Sequence, residues 1–271
     1  MNPSASWRCR KSPRRIPSAR RDSRPRLSGP GEARQPPHAL QWHLLLYYIT
    51  DRKQFPGAEP ARRAALLEKI AAAARGGVDF IQLREKDLSG RALEALACAA
   101  VRAVRENSPA TGHNSATRLL INSRTDVAIA CAADGVHLTS TDVNPADVRS
   151  VWACGAGAPS ASLGQVPARE KAAPVIAVSC HSAQEVTRAA SAGADFVVFA
   201  PVFEKRDAPD VRPAGLATLR DICRQPIPVL ALGGVTLENA SHCLDAGAAG
   251  IAAIRLFQEN DTADVVRRVR G

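Results

Sequence analysis

Val78-Asp79-Phe80-Ile81-Gln82-Leu83-Arg84-Glu85-Lys86 begins apolar and turns polar at its C-terminal end. Its run from 78 to 84 reads as a strand, on which alternate side chains share a face. Gln82, Arg84 and Lys86 therefore project the same way, an amide and two cations together where the strand meets a loop. That combination suits an anion. It suits equally a solvated strand end carrying two charges. The segment C-terminal to it decides the architecture: Ser89 is placed to cap a helix whose apolar face runs through Leu93, Leu96, Ala100 and Val104.

The same strand-then-helix rhythm extends in both directions. Short apolar or β-branched runs near 44–50, 78–84, 118–122, 134–138, 174–179, 194–200, 228–232 and 249–254 read as eight strands. Helical patterns lie between them. One runs from Arg62 to Gly76, with Ala65, Leu66, Lys69, Ile70 and Ala73 on one face, and another runs from Ser182 through Val186 and Ala190 to Gly193. The helix between the third and fourth strands is short. Eight such units argue for an α/β fold of the (β/α)8 TIM-barrel type rather than an open sheet. Two polar or Gly/Ala/Pro-rich stretches, Asn107–Thr117 and Cys154–Arg169, interrupt the rhythm and are expected to be surface insertions.

Of the 271 residues, 45% are hydrophobic, enough for a sizeable core, and the net charge is +10. The charge is concentrated: residues 1–40 hold ten Lys and Arg against Asp22 and Glu32, which leaves +2 for the other 231. The folded part therefore gives no argument for a nucleic-acid surface. Residues 1–40 also contain seven prolines and are expected to form a disordered Arg/Pro/Ser-rich tail, with 41–271 as the single folded domain. Their composition resembles a transit peptide, but the prolines oppose the amphipathic helix such peptides need. A basic arm for nucleic acid is a further reading of the tail, and an incidental extension is the preferred one. The seven cysteines show no C-x-x-C spacing and read as reduced thiols in a cytoplasmic protein. No apolar run is long enough to span a bilayer, and no membrane partner is expected. A homo-oligomer remains open.

In a barrel of this kind the chemistry belongs to the loops after the strands. Those positions hold Arg84-Glu85-Lys86, Asn122-Ser123-Arg124, His137 to Asp142, Ser179-Cys180-His181, Phe203 to Asp210, Gly233-Gly234 and Arg255. Gly233-Gly234 comes after the seventh strand, where glycines and backbone N–H groups commonly receive a phosphate. A tight turn is the alternative for the pair.

Several motifs together carry a family resemblance: Tyr48-Ile49-Thr50-Asp51, Gln82 to Lys86, Asn122-x-Arg124-x-Asp126, Asp134-Gly135-Val136-His137-Leu138, Ser179-x-His181-Ser182, Ala194-Asp195-Phe196 and Ala231-Leu232-Gly233-Gly234. Over about residues 46–257 the chain resembles the thiamine phosphate synthase and TenI superfamily. The resemblance implies a barrel that joins hydroxymethylpyrimidine pyrophosphate to thiazole phosphate, releasing pyrophosphate, with Mg2+ as cofactor. It implies that Gln82, Arg84 and Lys86 hold the pyrophosphate, Asn122 the substrate, and Ser179 the leaving group or pyrimidine. Gly233, Gly234, Ile254 and Arg255 would hold the thiazole phosphate, and Asp142 the metal. Lys86, Ser179 and His181 are the candidate catalytic residues.

The intact Gln82–Lys86 segment and Asp142 favour the synthase branch, which is the preferred reading, and two departures count against it. Ser123 stands where the family has a metal-binding Asp, and Glu204-Lys205-Arg206-Asp207-Ala208-Pro209 replaces a Thr-rich loop, with Lys205 or Arg206 left to contact phosphate. Arg255 stands where a Ser is usual. A TenI-like tautomerase needs a base rather than a metal, and His181 is suited to that role. A non-catalytic phosphate-ligand binder is the third reading.

Overall fold

All eight strand patterns form strands: β1 Leu45–Ile49, β2 Phe80–Leu83, β3 Arg118–Asn122, β4 Gly135–Leu138, β5 Val175–Cys180, β6 Phe196–Phe199, β7 Val229–Leu232 and β8 Gly250–Ala253. The computed structural model describes residues 44–108, 116–155, 173–204, 206 and 210–271. The expected tail at 1–40, residues 109–115 and 156–169 of the two insertions, and Lys205 lie outside these. Each strand pairs in parallel with the next, and β8 returns to β1, closing an eight-stranded barrel.

Helices alternate with the strands: α1 Glu59–Arg75, α2 Gly90–Asn107, α3 Thr125–Ala130, α4 Pro145–Gly155, α5 Ala183–Ser191, α6 Gly215–Ile222, α7 Ala240–Asp245, α8 Arg255–Gln258 and α9 Thr262–Arg270. α1 starts three residues before the sequence pattern, since Pro60 fits the first turn, where its missing N–H costs nothing. Ser89 and Ser182 cap α2 and α5 as their positions predict, accepting from Ala92 N and Glu185 N. α3 is short, as expected. Among the described residues, no helix is long and apolar enough to cross a membrane.

Strand alternation separates two cores. The outward set, including Leu46, Ile81, Leu83, Ile121, Val136 and Ile176, packs beneath the helices. The inward set fills the barrel with Leu45, Tyr47, Ile49, Phe80, Leu120, Val175, Ala177, Phe196, Val198, Leu230 and Ala252. Tyr47, Phe80 and Phe196 meet at ring-centroid distances of 4.9–6.0 Å, so aromatic bulk plugs the centre.

The N-terminal ends of the strands share a device. Asp79, Asp134 and Asp195 each accept the N–H at or near the start of the preceding strand, from Leu46 at 2.7 Å, Leu119 at 2.8 Å and Ile176 at 2.7 Å. Asp79 and Asp195 also pair with Arg270 of α9 and Arg149 of α4. These carboxylates are structural, tying strands and helices at the base and leaving the opposite rim for chemistry.

Candidate active site

The inward parity of β2 to β5 ends in polar side chains at the C-terminal rim. Gln82 is buried and donates from Nε2 to Asn122 Oδ1 at 3.0 Å, so neighbouring β2 and β3 present a joined amide pair. Just past the end of β2, Arg84 is half-buried and Lys86 is exposed. Neither cation has a carboxylate partner within salt-bridge distance among the described residues. Glu85, between them, faces the other way. It is buried and accepts from Thr50 Oγ1 at 2.7 Å and Arg52 Nη1 at 3.0 Å. The alternation read from the sequence therefore separates a site face from a structural one within one hexapeptide.

Asn122 Nδ2 reaches Ser123 Oγ at 3.2 Å, and Ser123 Oγ donates to Asp142 Oδ2 at 2.7 Å. Ser123 holds φ +57, the left-handed region that costs a non-glycine residue about 1–2 kcal/mol. Its N–H donates to the His137 carbonyl at 2.8 Å, which fixes that turn. The same Asp142 oxygen also accepts from Thr139 N at 2.7 Å. A metal at Asp142 would find one exposed carboxylate with one oxygen already engaged twice. No group of three or more His, Cys, Asp or Glu able to hold a metal occurs among the described residues. Mg2+ characteristically binds one or two carboxylates, with phosphate oxygens and waters completing the set. Asp142 fits that mode and does not fit an all-protein cage.

His137 projects into the barrel between Tyr47 and Ser179, with Nδ1 2.9 Å from Tyr47 Oη and Nε2 2.7 Å from Ser179 Oγ. Burial, with the Arg84 cation next in importance, pushes its pKa down to about 3, so the ring is neutral at pH 7. Tyr47 was absent from the expected site residues, and His137 stood among the strand-end positions with no role assigned. The His137 motif is visible in the sequence, but its reach to Ser179 depends on the pairing of β4 with β5.

His181 lies just beyond β5 and is exposed. Its Nδ1 meets the Ala200 carbonyl at 2.7 Å. A carbonyl only accepts, so Nδ1 carries the proton and Nε2 keeps its lone pair in the neutral ring. Across the rim, Gly233 and Gly234 take φ +97 and +67. A Cβ on Gly234 would stand 2.3 Å from the Glu204 carbonyl oxygen, so close packing of the β6 and β7 loops also requires that glycine. Ile254 occupies the N-cap position of α8 without a side-chain hydrogen bond, and Arg255 in its first turn stands 3.9 Å from Glu259. The structure thus joins Gln82 to Asn122, and brings Ser123 to Asp142 and Ser179 to His137. It does not join His181 to that chain.

A profile of the thiamine monophosphate synthase family matches residues 46–160 and 156–257. The chain belongs to that family. It is similar to the thiamine-phosphate synthase of Roseiflexus castenholzii, 36% identical over 213 residues that cover 78% of this chain and 79% of the relative. It also resembles the Clostridium novyi thiamine-phosphate synthase, 35% identical over 218 residues that cover 80% of this chain and 91% of the other. Among solved structures, the thiamine phosphate pyrophosphorylase of Pyrococcus furiosus superposes with a TM-score of 0.62 at 28% identity, covering 84% of this chain and 94% of that one.

Proposed function

We propose that the protein is a thiamine phosphate synthase, joining hydroxymethylpyrimidine pyrophosphate to thiazole phosphate in thiamine biosynthesis. The observation that carries this reading is the pair of cations without carboxylate partners among the described residues, Arg84 and Lys86, beside the Gln82–Asn122 amide pair and the Ser179 hydroxyl. In the reaction the C–O bond between the pyrimidine methylene and the pyrophosphate breaks, and the electron pair leaves with the pyrophosphate. The thiazole nitrogen then donates its lone pair to the cationic carbon, forming the C–N bond. Such a step requires stabilisation of the departing negative charge and no protein nucleophile. Arg84 and Lys86 supply positive charge, and Gln82 and Asn122 orient the pyrimidine end. Ser179 donates a hydrogen bond to the leaving group. Gly233, Gly234 and the turn at Ile254 and Arg255 receive the single phosphate of the thiazole, their backbone N–H groups matching its oxygens. Lys205, from the altered β6 loop, is a further candidate for phosphate contact.

Mg2+ would be held by Asp142 together with pyrophosphate oxygens and waters, and when bound it neutralises charge on the leaving group. Six free cysteines among the described residues accord with a reducing cytoplasm. The test is formation of thiamine phosphate from the two phosphorylated precursors with Mg2+. No product at high protein concentration would remove the reading.

One observation favours a second reading, a TenI-like thiazole tautomerase. His181 holds its proton on Nδ1 through Ala200, leaving Nε2 available as a base. In that case His181→Asn abolishes aromatisation of the thiazole carboxylate phosphate while ligand binding persists. Turnover unaffected by the substitution excludes the base role.

A further inference from the structure

The Tyr47 hydroxyl lies at the centre of the barrel on a fully buried residue, and its one hydrogen-bond partner among the described residues is His137 Nδ1. The other ring nitrogen meets Ser179 Oγ. A neutral imidazole carries one proton, so two arrangements are possible. In the first, His137 donates from Nδ1 to the phenol oxygen and Nε2 accepts from Ser179, the arrangement of a base-activated serine. In the second, the phenol donates to Nδ1, and Nε2–H donates to Ser179 Oγ.

The phenol decides. Burial raises the Tyr47 pKa well above its ordinary value, so the hydroxyl keeps its proton. If His137 donated to it, that proton would point into Phe80, Phe196 and the other apolar residues of the barrel, with no acceptor. An unmatched buried donor is costly, whereas an unused lone pair on the phenol oxygen costs little. The second arrangement leaves neither the phenol nor the imidazole donor unmatched, and the one hydrogen of the relay without a protein acceptor is that of Ser179, which is half-buried at the rim.

We propose that Tyr47 is a positioning residue: it fixes His137 as the Nε2–H tautomer, so that the Ser179 oxygen is occupied as an acceptor and its own hydrogen is directed to a substrate oxygen. Ser179 is then a hydrogen-bond donor to an anion and not a nucleophile. The identity of that anion as the departing pyrophosphate rests on the synthase reading, while the tautomer does not. The phenol and the serine act through two contacts spanning 90 and 42 residues of sequence, so no local motif announces the relay.

The test is nitrogen NMR on the full chain labelled with 15N-histidine, the His137 signals being assigned by their loss in His137→Gln. The expected result is a protonated Nε2 and an unprotonated Nδ1 at neutral pH. A protonated Nδ1 overturns the proposal. Tyr47→Phe, whose folding is checked by its thermal melt, is expected to mix the tautomers and to lower turnover about 5–10-fold, the scale of one hydrogen bond, with KM little changed. In a Ser179→Ala background the same substitution costs less than about twofold, since its effect passes through the serine. Equal losses in both backgrounds would also overturn it. If the wild-type chain makes no thiamine phosphate, the synthase reading fails, and the NMR result still decides the tautomer.

Discussion

Arg52 and Arg84 lie just beyond neighbouring parallel strands at the same rim of the barrel, and their surroundings are opposite. Arg52, after β1, is 4% exposed and pairs with Glu59 at 2.8 Å, Glu85 at 3.0 Å and Asp87 at 2.6 Å. Three carboxylates more than neutralise it. Arg84, after β2, has no carboxylate within reach among the described residues and raises the local potential enough to help keep His137 neutral. A cation surrounded by acids holds the fold together. A cation without them, beside amides and a hydroxyl, is available to a ligand.

The sharpest way to break this comparison is to remove each cation in turn. Arg52→Ala leaves buried Glu85 without its main partner and is expected to cost about 3–5 kcal/mol, read from chemical denaturation. A loss below about 1 kcal/mol would mean that the clamp is ornamental. Arg84→Ala should reverse the pattern. Stability changes by no more than about 0.5 kcal/mol, whereas synthase turnover falls on the order of 10²–10³-fold, as for loss of a donor to developing charge. Unchanged kinetics with lowered stability would invert the assignment of the two arginines.

A pH series sharpens the same point through His137. Its folded pKa, about 3, lies below the ordinary histidine value, so the unfolded chain takes up the proton first as pH falls. Stability contributed by the neutral ring is therefore complete above about pH 6.5 and is lost toward pH 3, at up to about 1.4 kcal/mol per pH unit. Between about pH 6.5 and 5, before most carboxylates titrate, His137→Gln should flatten the slope of unfolding free energy. A slope unchanged by the substitution would remove His137 as its source.

The smallest expected effect concerns Asp142, the carboxylate that meets Ser123. Ser123→Asp places a second acid beside Asp142 and is expected to tighten Mg2+ binding in the presence of pyrophosphate on the order of tenfold, read by calorimetric titration. The left-handed backbone at Ser123 tolerates Asp better than most side chains. Weaker binding would show that the metal does not reach Asp142.

Much of the fold was legible before any tertiary contact was known. Each of the eight strands falls on its predicted run, because a buried parallel strand reads as a short apolar run between turn residues. Ser89 and Ser182 cap helices because hydroxyls at those positions serve N–H groups three residues away. Less of the site was legible. Gln82 and Asn122 were expected there and are joined. Tyr47 was not, since an apolar run containing a tyrosine looks like core. The aspartates at the strand bases, Asp79, Asp134 and Asp195, form a repeat that polar content alone does not separate from rim residues.

The sequence by itself determined the alternation of strand and helix, the shared face of Gln82 and Arg84 and the glycines that allow the turn after β7, because each depends on neighbours a few residues apart. The tertiary structure decided which of two similar arginines is neutralised, how Ser123 meets Asp142, and which atom of His137 faces Tyr47. Those outcomes depend on closure of the barrel, with its β8-to-β1 register, which brings together groups tens of residues apart.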